Sequence, residues 1–495
     1  MASTLTWPDY AILLGSLLAL IAIGGAFSGE QRGTADFFLA RRRIPWWAAC
    51  LSFLATEISA VTIIAVPATA YSENWEYAQF FVGSSLAKLA VAYLFIPAFY
   101  RYDCTTIYEF LRHRFGPASQ VTGSIFFFIT RLLGSGVRLM AAALAVAVLV
   151  GWPLWATIAL FTVVSIAYIG LGGVQAVVWT NVFQASTFLI GGALTVGFLA
   201  FSIDGGLGAM LGTAAEAGRL AVINWGPAPG APDFWRRVLT DPNIFWLAVL
   251  NGFVGSMAAF GTDHDLMQRL LTVETRGESQ RTLALTPIGT LVTLLLYLAI
   301  GAGLFTFYAQ HPGEALPRPD EIFPFFIRTV MPELLRGVML TAIVLASIDS
   351  PLGSLAASFV TDIYRPVLVR GGTDRHYLMV SRVAVVVFGL LLAFLAWGFS
   401  FFDRILWLAF KIAGVTFGSL LGVFLLGLVT KLRANRANVA AMVIMAVVNP
   451  VLLTLSESGR IALGWSWLVI LGTAGTMILA PFLAPMLDGD RDARA

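Results

Sequence analysis

The sequence is poor in charge and in the residues that hold metals or disulfides. Only 12% of its 495 residues are Asp, Glu, Lys or Arg, about half the roughly 25% of soluble domains. Two cysteines exclude a disulfide framework, and four histidines without metal spacing make a structural metal site unexpected. A net charge of +3 gives no reason to expect nucleic acid as a partner. Apolar residues make up 58% of the chain, which indicates a polytopic membrane protein.

Catalytic motifs are lacking as well. No GxxxxGK[ST] phosphate loop and no HExxH zinc motif occurs, which argues against ATP hydrolysis and metalloprotease activity. We therefore expect no enzyme activity, no organic cofactor and no obligate protein partner. The expected partner at this point is membrane lipid.

Thirteen segments are apolar and long enough to cross a membrane, which takes about 20 residues. They are residues 9–27, 46–70, 78–100, 119–150, 153–171, 175–203, 244–262, 283–310, 335–363, 377–400, 404–429, 437–456 and 464–486. If the N-terminus lies outside, the cytoplasmic loops hold 18 Lys and Arg residues, and the outer loops hold five apart from the short amphipathic stretch around Arg328. The positive-inside rule then predicts a multi-pass protein of the plasma (inner) membrane with a cytoplasmic C-terminus.

Two of these segments carry residues that weaken helices. Residues 54–67 of the second span include Glu57, three hydroxyl residues and Pro67, and the seventh span holds the run Asn251–Ser256. These spans begin two five-helix sets, 46–203 and 244–429, which are flanked by residues 9–27 and 437–486. Matched interruptions predict inverted repeats with a binding site at the breaks. Small residues also serve ordinary close packing of helices, which is the alternative explanation.

Ionisable residues inside the spans are candidates for function. They are Glu57, Lys88, Arg131, Arg138, Asp349 and Lys411. Arg138 suits a planar carboxylate of the solute, or else a structural ion pair with Glu57 or Asp349. Lys88 and Arg131 fit structural pairs equally well, and Lys411 fits snorkelling to the outer interface.

Hydroxyl groups surround the carboxylate Asp349. Ser347, Ser350 and Ser354 are three and four residues apart, which places them on one helical face. Hard oxygen ligands of this kind suit a hard cation such as Na⁺. The alternative is that the serines pack helices together.

The chain resembles the sodium:solute symporter family, which includes sodium-coupled sugar, proline, sialate, iodide and monocarboxylate transporters. The resemblance rests on motifs in order along the chain, among them GGVQAVVWT at 172–180 and GTDHDLMQR at 261–269. The others lie at residues 36–40, 45–47, 55–60, 130–139, 362–366 and 422–428. It implies an all-α LeuT-like fold of two inverted five-helix repeats, with one extra N-terminal and two extra C-terminal helices.

The resemblance also implies a sodium site between the first and eighth core helices. Its residues in this chain are Ala55, Ile58, Ile343, Ala346 and Ser347, with main-chain carbonyls and the Ser347 hydroxyl as ligands. The family usually has two adjacent serines where this chain has Ala346 and Ser347. Members with a second sodium site have an aspartate at the position of Asn181. Because a carboxylate occurs instead at Asp349, we expect a second cation site or a proton-sensitive switch at Asn181, Asp349 and Ser350.

The family's solute pocket implies a second group of residues. By position they are Thr62, Gln79, Arg138, Phe245, Trp246, Asn251 and Lys411. Cations and aromatic groups in this set favour a small organic anion, as in the monocarboxylate, vitamin and iodide branch. The expected function is sodium-coupled import by alternating access. Alternatives are proton coupling through Glu57 or Asp349, and a solute sensor, which is less favoured because no output domain follows residue 487.

Overall fold

The computed structural model describes residues 6–26, 34–312, 316, 319–348, 351–401 and 405–489. These residues form helices and connecting segments, and none of them lies in a strand. The helices of the first half are α1 (Trp7–Ala26), α2 (Thr34–Leu39), α3 (Trp46–Glu57), α4 (Ala60–Ser72), α5 (Ala78–Ala90), α6 (Ile96–Arg101), α7 (Ile107–Arg114), α8 (Pro117–Val150), α9 (Leu154–Ser202), α10 (Gly206–Glu216) and α11 (Phe234–Thr240). A 3₁₀ turn at Ala40–Arg42 follows α2, and a π-helical turn at Val91–Phe95 joins α5 to α6.

The second half continues the pattern of long apolar helices. It contains α12 (Phe245–Thr262), α13 (His264–Leu271), α14 (Arg276–Gln310), α15 (Pro319–Thr329), α16 (Glu333–Ile348), α17 (Leu352–Ser358), α18 (Asp374–Phe399), α19 (Ile405–Val429), α20 (Asn435–Glu457) and α21 (Ser466–Leu487). A π-helical segment, Phe359–Leu368, continues directly from α17.

Length and composition of the helices confirm the expected all-α membrane protein. Among the described residues, eight helices are long and apolar enough to cross a membrane, and the bent pair α3–α4 makes nine. Three shorter apolar helices lie at Trp7–Ile23, Leu154–Ala167 and Gly414–Val429. The predicted span 335–363 is divided between α16 and α17. The total of thirteen crossings stays a prediction.

Two features of the fold differ from the sequence-based expectation. The predicted spans 153–171 and 175–203 belong to one continuous helical segment, α9, because the glycines at 172–173 do not interrupt it. The expected interruption at residues 251–256 is wrong, because α12 is helical throughout and ends only at Thr262. Glycine lowers helix propensity by only about 1 kcal/mol, which tertiary packing overrides.

Gly252, in the run 251–256 of α12, allows close helix packing. A Cβ atom on Gly252 would lie 2.5 Å from the main-chain oxygen of Phe80, so α12 and α5 touch through their backbones here. Gly83 of α5 makes the reciprocal contact with the backbone of α12. The alternative explanation of the small residues, close helix packing, therefore applies to this pair.

Helix α9 lies at the centre of the packing and contacts α1, α3, α14, α16 and α18. A buried ion pair fixes α1 to α16. Nε and Nη2 of Arg336 donate to Oδ2 of Asp9 at 2.9 and 2.6 Å, and the two residues are 6% and 0% exposed. The first helix is thus bonded to the core and does not merely lie against it.

Helix α18 shows which surface faces lipid. Its exposed large side chains include Met379, Val383, Val387, Leu390 and Phe394. Spacings of three and four residues place them in one stripe along the helix. An apolar stripe of this length on the outside of the bundle is typical of a helix in contact with hydrocarbon.

Candidate functional site

The second predicted span is a broken helix. Helix α3 ends at Glu57, α4 begins at Ala60, and the axes of Trp46–Glu57 and Thr62–Ser72 differ by 57°. Ser59 and Thr62 form a capping box at the start of α4, with the Ser59 N–H donating to Thr62 Oγ1 at 3.5 Å. These amides therefore turn away from the carbonyls of Ala55 and Ile58, which they would meet in a continuous helix.

The break leaves main-chain oxygens directed out of the helix. Ile58 has an extended backbone, with φ −81° and ψ 122°. The carbonyls at the end of α3 carry the partial negative charge of a helix C-terminus, which favours a cation. The observed break thus has the chemistry that the predicted ligands Ala55 and Ile58 require.

The other predicted wall of the sodium site is α16. Ile343 and Ala346 lie in its second half and are 0% and 5% exposed. The side chains of Ser347 and Lys411 and all of Asp349 and Ser350 lie outside the described part of the chain. For these four residues the sequence-based roles stay predictions.

Arg138 of α8 connects the two walls. Its Nη1 donates to the main-chain oxygen of Thr56 at 3.3 Å, one residue before the end of α3. It also lines a cavity of about 20 Å³ to which Ala346 of α16 contributes. The remaining lining includes hydroxyl groups and a proline: Ser135, Thr162, Ser165 and Pro351. The cavity thus combines a guanidinium and three hydroxyls with apolar side chains, and it has room for about one water-sized group. Arg138 links it to the broken helix through the bond to Thr56 O.

Asn181 of α9 faces α3. Its Nδ2 donates to Thr56 Oγ1 at 3.0 Å and to Ser52 Oγ at 3.2 Å, and the residue is 1% exposed. The side chain thus lies beside the broken helix. Its placement relative to Asp349 and Ser350 falls outside the described residues.

The other residues predicted for the solute have contacts elsewhere. Gln79 donates to Asn243 O at 2.8 Å and accepts from Asn224 N at 3.0 Å, which holds the segment before α12. Asn251 donates to the main-chain oxygen of Ser466 at the start of α21. Neither residue lines the cavity beside Arg138.

Of the predicted aromatic residues, Trp246 lies at the surface and Phe245 is half-buried. Trp246 is 68% exposed, and its ring packs edge-on against Phe245 at 4.9 Å. Trp225 packs against both rings. Of the predicted solute residues, only Thr62 and Arg138 are described beside the break, with Thr62 held in the capping box.

Glu57 and Lys88 form a buried ion pair at the break. Lys88 Nζ lies 2.8 Å from Glu57 Oε1, and the two side chains are 0% and 14% exposed respectively. Thr290 of α14 bonds both members of the pair. Its hydroxyl accepts from Lys88 at 2.8 Å and donates to Glu57 Oε2 at 3.0 Å. Glu57 therefore pairs with Lys88 and not with Arg138, and the three side chains join α3, α5 and α14.

Arg131 has partners that the sequence did not reveal. Its guanidinium pairs with Asp263 at 3.1 Å and with Asp265, in the connection from α12 to α13. Asp265 also accepts from Arg269 at 2.6 Å and from Ser354 of α17 at 2.9 Å. Burial alone would raise the pKa of Asp265, but Arg131 and Arg269 outweigh it and lower that pKa to about 2. The carboxylate is therefore ionised, and the cluster ties α8, α13 and α17 together.

Another buried carboxylate, Asp362, belongs to the π-helical segment Phe359–Leu368. Asp362 is fully buried and accepts from Thr106, Gln120, Ser124 and Ser358 at 2.6–2.8 Å. The sequence had indicated it only as part of a family motif. Its four neutral donors fix the π-helical segment against the start of α8.

A broken membrane helix with outward-directed carbonyls, beside a partly buried arginine, defines a class of protein: the secondary membrane transporter. The particular family follows from comparison with known proteins. The chain belongs to the sodium:solute symporter family, whose model matches residues 37–446.

Relatives and a solved structure agree with this assignment. The chain is similar to the sodium/sialic acid symporter SiaT of Proteus mirabilis (strain HI4320), with 29% identity over 490 residues that cover 97% of this chain and 95% of that protein. It is also similar to sodium-coupled monocarboxylate transporter 1 of Homo sapiens, with 27% identity, 85% of this chain and 69% of that protein. A solved structure of a Na⁺-coupled sialic acid symporter, in a substrate-bound outward-open state, superposes with a TM-score of 0.81. It is 26% identical and covers 97% of this chain and 98% of that one.

The predicted resemblance is confirmed. The chain is a multi-pass membrane protein of a symporter family, and its relatives are transporters and not enzymes. Family membership supports Na⁺-coupled symport of a small solute.

Proposed function

We propose that this chain uses the inward Na⁺ gradient to import a small organic anion. One observation carries the proposal: the released carbonyls at the end of α3 lie beside the guanidinium of Arg138. Within the LeuT-like arrangement, residues 46–203 and 244–429 are the two repeats. The N-terminus lies outside and the C-terminus is cytoplasmic, in a plasma (inner) membrane.

The proposed Na⁺ site uses oxygen atoms only. The carbonyls of Ala55, Ile58 and Ile343 and the hydroxyl of Ser347 are its ligands, and Ala346 offers no second hydroxyl. The partial negative charge at the end of α3 adds to the attraction of the cation. Asn181, Asp349 and Ser350 remain the proposed second cation site.

The proposed solute site has the opposite charge. Arg138 presents a planar group of donors that matches a carboxylate. The N-terminus of α4, which begins at the same break, carries partial positive charge and favours an anion. One interruption thus offers a cation-binding end of α3 and an anion-binding end of α4, which explains why ion and solute would bind together. Gln79, Phe245, Trp246, Asn251 and Lys411 remain proposed solute contacts in another conformation of the transport cycle.

The two sites explain coupling. Na⁺ bound between α3 and α16 orders the broken helix, and the solute binds to the ordered form with higher affinity. By thermodynamic linkage, the solute raises the affinity for Na⁺ by the same factor. Release of Na⁺ into a cytoplasm of low Na⁺ weakens solute binding there. Each net positive charge that enters contributes about 2.3 kcal/mol per 100 mV of membrane potential.

The sodium site is tested by thermal unfolding of the purified protein in Na⁺ and in choline. We expect Na⁺ to raise the melting temperature of the natural protein, and Ser347→Ala to abolish most of that rise because a ligand is lost. Ser381→Ala is the control, since Ser381 is a buried serine of a membrane helix and its hydroxyl donates to Tyr377 O within α18. No response to Na⁺, together with a rise on acidification, would indicate proton coupling instead.

The anion site is tested by uptake into proteoliposomes driven by a Na⁺ gradient. The probes are sialic acid, a short monocarboxylate and a neutral sugar. We expect saturable uptake of an anion, and we expect Arg138→Gln to raise its KM about 10- to 150-fold, the effect of losing a hydrogen bond to a charged group. Arg382→Gln on the exposed face of α18 should leave the KM unchanged. Uptake of the sugar alone, unaffected by Arg138→Gln, would contradict the anion assignment.

A further inference from the structure

We propose that Asn181 and Gln184 form an amide brace, which sets the Na⁺ affinity by fixing α3 and α16 to the same face of α9. This inference rests on the proposed Na⁺ site. The two residues are three positions apart in α9 and therefore lie on one side of it. They are 1% and 3% exposed. Gln184 was not among the residues predicted from the sequence.

Gln184 holds the end of α16. Its Nε2 donates to the main-chain oxygen of Leu345 at 2.6 Å. Leu345 lies in the last described turn of α16. It is also situated between Ile343 and Ser347, two proposed ligands. The bond therefore fixes the direction of the turn that would supply half of the Na⁺ ligands.

Asn181 bonds α3, mainly through hydroxyl side chains. Its Nδ2 donates to Thr56 Oγ1 and Ser52 Oγ, and Thr56 lies between the proposed ligands Ala55 and Ile58. Thr56 Oγ1 donates in turn to Ser52 O at 2.9 Å, within α3. The Asn181 amide is thus directed at the helix that carries the ligands.

Bracing matters because most of the proposed ligands are main-chain carbonyls. A side-chain ligand adjusts by rotation, whereas a carbonyl ligand moves only with its helix. Ligand geometry has to be held within about 0.5 Å for a site to function. Helix α9 packs against both α3 and α16, so it can hold the two helices in a fixed position relative to each other. Neutral amides hold the walls without adding a charge that would compete with Na⁺ for its ligands.

The inference is tested with Gln184→Leu, which keeps the volume and removes the donor. The readout is the Na⁺ concentration that gives half of the maximal rise in melting temperature, measured in detergent with choline as the balancing ion. We expect this concentration to increase about tenfold, because the last turn of α16 loses its external donor. Asn181→Ala, which removes the bonds to α3, is expected to shift it in the same direction and serves if Gln184→Leu does not fold.

Gln268→Leu is the matched control. Gln268 is 1% exposed and its Nε2 donates to the main-chain oxygen of Phe38 at 2.9 Å, the same type of bond in α13. We expect it to lower the melting temperature in choline while the half-saturating Na⁺ concentration stays the same. An unchanged half-saturating concentration in Gln184→Leu or Asn181→Ala, with a normal response of the natural protein, would overturn the brace alone. Absence of a Na⁺ response in the natural protein would overturn the brace and the proposed Na⁺ coupling together.

Discussion

Lys88→Met is expected to destabilise the protein by about 3–5 kcal/mol, the usual cost of breaking a buried ion pair. The variant leaves the Glu57 carboxylate, 14% exposed, with Thr290 as its one side-chain partner among the residues that the structure describes. The measurement is the melting temperature together with unfolding by denaturant in detergent. The double variant Lys88→Met, Glu57→Gln should recover much of the loss, because no unpaired charge then remains.

The matched control is an ion pair at the surface. Asp103 pairs with Arg42 at 2.8 Å, but its side chain is 86% exposed. Asp103→Asn should therefore cost no more than about 1 kcal/mol, as expected for a solvent-exposed pair. The Glu57–Lys88 pair does not stabilise the break if Lys88→Met costs as little stability as Asp103→Asn. The same conclusion follows if the double variant is no more stable than Lys88→Met.

Gly252→Ala is expected to cause the second large effect. Its new methyl group would lie 2.5 Å from Phe80 O, and the backbone of α5 cannot move aside as a flexible side chain could. Overpacking of a close contact costs typically about 1–3 kcal/mol and sometimes more. We expect a lower melting temperature and reduced transport, because α12 and α5 must separate to admit the methyl group.

Gly134→Ala provides the comparison within another membrane helix. A Cβ atom on Gly134 of α8 meets nothing within 4 Å. Alanine is favoured over glycine in a helix by about 1 kcal/mol, so this variant should be neutral or slightly stabilising. Equal effects of the two substitutions would show that Gly252 is not required for backbone contact between α5 and α12.

The break at Glu57–Ala60 could be predicted because its causes are local. A serine that caps the next helix and a threonine three residues later are both visible in the sequence. The prediction of a break at residues 251–256 was wrong because the deciding contact is not local. Glycine is compatible both with a helix end and with a close backbone contact, and only the position of Phe80 decides between them.

Partners of the buried charges could not be predicted for a related reason. Lys88 and Thr290 are 202 positions apart, and Arg131 lies 134 positions from Asp265. Composition identifies such residues as costly in a membrane but contains no information on which helices become neighbours. Gln184 could not be singled out from the sequence, because uncharged amides in membrane helices commonly form hydrogen bonds between helices without any role in binding.

The Asp9–Arg336 pair also determines how the protein should be labelled for spectroscopy. A peripheral first helix would report mainly on the surrounding lipid, but α1 is bonded to α16 through two short contacts to one carboxylate oxygen. A dye or spin label on α1 therefore follows the displacement of α16 and gives access to that wall of the site without a substitution inside it. Removal of α1 would instead leave the 6% exposed guanidinium of Arg336 without its carboxylate.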